Sequence, residues 1–217
     1  MKRLFFSVLA LLLFSTDVAR ADLHGKADIG YVHANFADYL NGDKIQSRYA
    51  DGVQINSTIV HPSGIAIKPT LVLGTGSCKI AQAGLSVGFY IPSDEWSFQP
   101  YIGTSYSYYS DFVSILNDSR KTTALAALAG LDVSYQPHRK WLISASFQYA
   151  YSHSDSFFKA MPTYKAHVNG ANYGISVDYY VKSNVSVNLA YGYNYSLNKE
   201  RYGLRARGVK AGVGYTF

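Results

Sequence analysis

His153 and Asp155 stand two residues apart, so they share one face if the segment around them is a strand. A carboxylate beside an imidazole can orient its tautomer and raise its basicity, which a general base requires. Hydrolysis would need further acidic partners at the same level, and the sequence offers no companion acidic pair there. The run His153-Ser154-Asp155 also lacks the His-x-Ser step with an acidic partner that a lipid A deacylase needs. No C-x-x-C, H-E-x-x-H, G-x-S-x-G or phosphate-loop pattern occurs. Cys78 is the single cysteine and has no intrachain disulfide partner. No catalytic residue, cofactor site or metal site is expected, and no enzyme activity.

The remaining chemistry is electrostatic and depends on strand faces. Asp28, Lys68, Asp132, Asp178 and Lys210 all fall on faces otherwise built of Gly, Ser, Ala and Asn. Inside a narrow barrel such charges neutralise one another as an ion network. The alternative is a proton or ion path, but a side-chain-filled lumen leaves little bore for one. Arg205 and Arg207, with Lys79 and His167, fall by parity on the outward face near the extracellular end. Cations there pair with lipopolysaccharide phosphates or extend toward water at a membrane edge. The stretch from Phe157 through Phe158 to Tyr164 is unusually apolar for a connection. It reads as packing across the barrel mouth or as a contact tip for a host or surface protein.

These positions depend on the strands that carry them, and the end of the chain shows the pattern most plainly. Val209, Ala211, Val213, Tyr215 and Phe217 alternate with Gly208, Lys210, Gly212, Gly214 and Thr216. Apolar residues toward lipid, small or polar ones toward a lumen, and an aromatic at the interface make a transmembrane barrel strand. Segments of the same kind are expected at 25–34, 51–60, 65–74, 78–90, 96–109, 122–135, 140–153, 166–181 and 184–197. With 203–217 they make ten, with eight as the alternative if the first two are loop or plug. Trp141 to Tyr151 is about 33 Å of strand, which a tilt near 40° projects to about 25 Å, the height of a lipid-facing band. Long loops are expected at 35–50, 111–121 and 154–165, and short turns at the opposite end. The loops would present Tyr39, Arg48, Phe112, Ile115, Phe157, Phe158 and Tyr164. The Ala-rich stretch inside 122–135 is read as strand, on Gly130, Val133 and the flanking segments.

Composition agrees. The chain has 20 Tyr, 11 Phe and 18 Gly but only 6 Pro, which suits many paired strands with aromatic belts. The run Leu4 to Phe14, after Lys2 and Arg3 and before Ala19-Arg20-Ala21, is a secretory signal peptide by pattern and too short to span as a helix. Cleavage after Ala21 leaves a mature barrel domain of 22–217 and takes two units off the formal charge of +6. Asp22, not Cys, follows the cleavage site, so no lipoprotein anchor is expected.

Three stretches carry a family resemblance: F-Q-P-Y-I-G-T-S-Y-S-Y-Y (Phe98–Tyr109), G-L-D-V-S-Y leading into R-K-W-L-I (Gly130–Ile143), and the closing A-G-V-G-Y-T-F. They are similar to the small bacterial outer-membrane barrels that include outer membrane protein W and the opacity-type proteins. The resemblance implies a single antiparallel barrel in the outer membrane, with periplasmic termini and extracellular loops. Tyr215 and Phe217 resemble the signal that the barrel-assembly machinery recognises. Family members act as adhesins, structural proteins or proposed conduits for small apolar solutes. W-type proteins have eight strands, so a count of ten argues against their proposed lateral solute path. The His153–Asp155 pair at a barrel rim resembles part of the outer-membrane aspartyl-type proteases, which have ten longer strands and extra acids. The expected role is a non-enzymatic surface barrel whose loops bind partners, with a narrow porin-like barrel as the alternative and a lipid A-modifying enzyme or protease as a distant one. Expected partners are outer-membrane lipid, lipopolysaccharide, the assembly machinery and a surface protein. No nucleic acid and no cofactor is expected.

Overall fold

The first hairpin turns on Asn41-Gly42. Both residues have positive φ, +53° and +97°, as a two-residue type I′ turn requires. Leu40 therefore pairs directly with Asp43, and the strands run on almost to the tip. A computed structural model describes residues 23–159, 162–198 and 202–217. The expected signal peptide, 1–21, lies outside them.

The strands are β1 (His24–Leu40), β2 (Asp43–Val60), β3 (Ile65–Gly76), β4 (Cys78–Phe89), β5 (Ile91–Ser93), β6 (Trp96–Val113), β7 (Asp118–His138), β8 (Trp141–Phe158), β9 (Tyr164–Lys182), β10 (Val185–Asn198) and β11 (Tyr202–Thr216). Three-residue β5 only extends the edge of β6. The other ten make one antiparallel sheet that closes through β1–β11 and β4–β6. Closure leaves no open edge along the wall. Phe217 seals the seam, exchanging backbone hydrogen bonds with Gly25 at 2.9 and 3.0 Å. The Ala-rich stretch is strand, inside β7.

The register sets the barrel's width. A path of cross-strand partners starting at Trp141 runs through Tyr179, Val187, Val213, Ile29, Ile55, Leu71, Ala83, Tyr106 and Leu125. It returns to β8 at His153, twelve residues further along. With ten strands, that stagger gives a tilt of about 40° and a backbone diameter of roughly 20 Å.

The packing is inside-out. Ile102, Leu125 and Leu189 are 70%, 60% and 63% exposed. Ser186, Asp178, Asn188 and Lys210 are buried in the lumen. Exposing that much apolar surface makes sense only against lipid. Trp96 stacks on Tyr135 and Trp141 packs on Tyr179 at the end that carries the termini. Tyr149, Tyr151 and Tyr106 stand about 25 Å away along the axis.

The loops differ from expectation. The stretch 35–50 is the upper part of hairpin β1–β2, not a loop. The stretch 111–121 is mostly strand, turned by a short 3-10 helix at Ser114–Leu116 and a left-handed Asn117. In 154–165, β8 continues to Phe158 and β9 begins at Tyr164. Polar residues on both faces suggested loops because the barrel continues beyond the lipid band, where an outer face no longer needs to be apolar. Ala160, Met161 and residues 199–201 lie outside the described residues, and so does the side chain of Ile115.

Candidate functional site at the distal end of the barrel

The wall is uneven at the end away from the termini, called distal here. β3 and β4 have 12 residues each, whereas β1, β2, β6 and β7 have 17, 18, 18 and 21. The β3–β4 hairpin stops at Ser77, where Gly76 pairs with Ala50 and Cys78 with Asp111. Above that level β2 and β6 have lost the neighbour between them. Gln46 spans the notch. Its Nε2 donates to the Phe112 carbonyl at 2.9 Å, and its Oε1 accepts from the Ser114 N–H at 3.2 Å.

Behind the notch four buried charges join the two tall hairpins. Asp38 and Arg48 come from β1–β2, and Asp111 and Arg120 from β6–β7. Arg120 grips Asp111 with two bonds, Nε to Oδ1 and Nη2 to Oδ2, both at 3.0 Å. Its Nη2 also reaches Asp38 Oδ2 at 3.1 Å, and its Nη1 donates to the Tyr202 hydroxyl. Arg48 Nη1 donates to Asp38 Oδ2 at 2.5 Å, and Arg48 Nε lies against Asp111. Each arginine thus touches both carboxylates. Asp38 and Arg48 are 3% exposed, and Asp111 and Arg120 are 7%. Cys78 is buried at the tip of the short hairpin, with Sγ 3.5 Å from the Tyr49 carbonyl. Buried charges are stable only when paired, and here two carboxylates and two guanidinium groups form a balanced unit that spans the distal lumen between the two tall hairpins. Arg48, expected in a loop, is part of it. The sequence placed none of the four together because all four lie in stretches read as loops.

Nearer the termini the five lumenal charges singled out by sequence separate into pairs. Lys210 pairs with Asp28, and Lys68 with Asp132. Asp178 pairs with Lys26 at 2.5 Å and accepts from Ser186 Oγ at 3.3 Å. Lys26 was missed, although it lies two residues from Asp28 on the same face. The Tyr101 ring lies 4.0 Å from Lys68 Nζ and accepts at its hydroxyl from Gln148 at 3.3 Å. Gln148 accepts from Asn172 at 2.6 Å, and Asn172 from Asn194. A polar chain therefore crosses the lumen wall from β10 to β3.

The distal rim carries exposed apolar side chains among its polar ones. Leu40, Phe112, Leu116 and Phe157 are 44%, 49%, 45% and 46% exposed. Phe158 is half-buried, and Tyr164, 38% exposed, accepts from Asn198 at 3.0 Å. These positions end four different hairpin arms, so together they form a collar. Arg205 and Arg207 face outward below it, with the Arg205 guanidinium 4.1 Å from the Tyr39 ring and 5.2 Å from the Tyr195 ring. Tyr215 and Phe217 are outward and half-exposed at the other end.

The His153–Asp155 pair also lies on the outer wall, with Nε2 to Oδ1 at 3.5 Å. His167 faces it across the strands at 4.9 Å between rings and meets the Tyr151 hydroxyl at 3.1 Å. On β1–β2, Asp51 accepts from the Tyr31 hydroxyl and lies 2.7 Å from His33 Nδ1. Both groups are partly exposed on the outer wall. Among the described residues no cluster could hold a metal ion.

Residues 6–217 match the family described as outer membrane protein beta-barrel domain. No curated protein matches the chain in sequence. Among solved structures, the outer-membrane protease OmpT of Escherichia coli is similar, with a TM-score of 0.60 and 13% identity over 91% of this chain and 98% of that one. An outer-membrane channel from Pseudomonas putida F1 has a TM-score of 0.51 and 8% identity, covering 89% and 96%. The attachment invasion locus protein Ail of Yersinia pestis, solved with a heparin analogue, has a TM-score of 0.43 and 13% identity, covering 89% and 99%. At these identities the likeness to the protease and to the channel is one of fold.

Proposed function

The chain belongs to the outer membrane protein beta-barrel domain family, and on that premise we propose that it is a non-enzymatic surface barrel whose extracellular rim binds a partner. In the bacterial outer membrane the termini lie in the periplasm and the distal end stands outside the cell. The exposed collar of Leu40, Phe112, Leu116 and Phe157 carries the reading. Apolar side chains on a rigid rim above the lipid have no lipid to cover them, and such patches bind proteins. Mounting them on the paired arms of a closed barrel limits the entropy lost on binding. The buried quartet favours this role over solute passage, because its ion pairs lie across the mouth that a solute would use.

The reading is non-enzymatic because the His153–Asp155 pair sits on the outer wall, away from the lumen. The test is adhesion of bacteria displaying the protein to host-cell monolayers. Phe112→Ser with Phe157→Ser is expected to leave the barrel assembled and heat-resistant while lowering adhesion severalfold. Unchanged adhesion with normal surface display would remove the rim from the binding role.

A further inference from the structure

Every lumenal cation named above has a carboxylate partner, whereas three cations gathered at one place on the outer wall have none among the described residues. Arg205, Arg207 and Lys44 line a hollow of about 170 Å³ with Asn35, Tyr39 and Tyr193. No acidic residue lines it. Among the described residues no carboxylate forms an ion pair with any of the three.

The hollow is built from four strands in fixed register. Arg207 lies between Asn35 on β1 and Tyr193 on β10, and Arg205 between Ala37 and Tyr195. Tyr39 pairs with Lys44 across β1 and β2. The Tyr39 and Tyr195 rings hold the Arg205 guanidinium in place, which spares the ordering cost a free arginine would meet. Arg205 Nε is buried there without a hydrogen-bond partner. Three positive charges brought together without a counterion repel one another, so an anion that enters removes a cost as well as adding contacts.

Height selects the anion. Arg207 stands ten strand residues from Phe217, roughly 33 Å along β11 and about 25 Å along the barrel axis. That is the outer edge of the lipid-facing band, and Arg205 lies about 5 Å higher. The geometry points to a binding site for the phosphate group of a glycolipid headgroup in the outer leaflet, with Arg205, Arg207 and Lys44 as its cations and the tyrosines as its walls. Guanidinium groups bind phosphate with paired, charge-assisted hydrogen bonds, and a sugar ring above the phosphate can lie on Tyr39 and Tyr193. The site rests on the membrane orientation proposed above but not on partner binding at the rim.

The test is native mass spectrometry of the purified mature protein in detergent. The probes are bisphosphorylated lipid A, the same lipid without phosphates, and inorganic phosphate. Bisphosphorylated lipid A is expected to bind at least tenfold more tightly than the dephosphorylated form. Arg205→Gln with Arg207→Gln should abolish that preference. Arg207→Gln alone alters an exposed side chain, so it should weaken the preference without disturbing the fold. Lys79→Gln, an outward cation elsewhere on the wall, should leave it intact. Equal binding of the two lipids, or a preference that survives the double substitution, would overturn the site. Inorganic phosphate binding as tightly as the phosphorylated lipid would overturn the headgroup assignment. Adhesion changes in the Phe112 and Phe157 variants report on the rim alone.

Discussion

Arg120 binds Asp111 on its own hairpin and Asp38 on the hairpin across the notch, so one side chain joins two parts of the wall that share no strand pairing there. Arg48 does the same in reverse, to Asp38 and Asp111. The short β3–β4 hairpin makes this necessary. Removing its upper half leaves the tall hairpins without backbone bonds between them, and side chains take over.

Breaking this unit should be costly. Arg120→Ala leaves Asp38 and Asp111 facing one arginine instead of two, and removing one partner of a buried charge pair typically costs about 3–5 kcal/mol. The expected outcome is a barrel that assembles but unfolds at lower temperature, read by heat-dependent gel mobility. A midpoint equal to the parent would mean that the quartet does not hold the hairpins together.

Tyr101 lies across Gly130, its partner on β7. A Cβ added at Gly130 would stand 2.5 Å from the Tyr101 ring and 2.7 Å from the Phe147 carbonyl. Gly130→Ala should therefore push the ring off Lys68 and cost roughly 1–3 kcal/mol of stability, the usual penalty for overpacking. Urea titration of the folded barrel in detergent measures it. A neutral result would show that the lumen has room to let Tyr101 move.

Leu189 lies four residues above the start of β10 on the lipid face, and Ser146 lies at a similar height on the lumen face of β8. A lysine facing mid-bilayer lipid costs roughly 2–4 kcal/mol. Leu189→Lys should impair folding into lipid vesicles, while Ser146→Lys should be mild. Equal losses at the two positions would contradict the assignment of faces.

Most of the barrel was legible from period-two alternation: ten strands, their order, the faces of Trp141 to Tyr151 and of Val209 to Phe217. The strand tops were not. Alternation of apolar and polar residues ends where lipid ends, but strand pairing does not, so the upper arms looked like polar loops. One local signal was available, since Asn41-Gly42 marks a two-residue hairpin and would have extended β1 and β2 to their true ends. Parity then places Asp38 and Arg48 on the lumen side. No local signal pairs Arg48 with Asp111, because their meeting depends on the shortness of β3 and β4, a property of the closed sheet. The outward cations Arg205 and Arg207 were legible by parity, whereas Lys44 and Tyr39, in a stretch read as loop, were not.

A closed distal lumen is central to the surface role, and ion conductance across a planar lipid bilayer tests it most directly. The purified mature protein, inserted and shown to be folded, should give no conductance steps at moderate voltage. The Arg48→Ser, Arg120→Ser variant should give steps if it remains folded, because the charges filling the mouth are gone. Stable, uniform steps from the unaltered protein would contradict closure and make solute passage the function of the barrel.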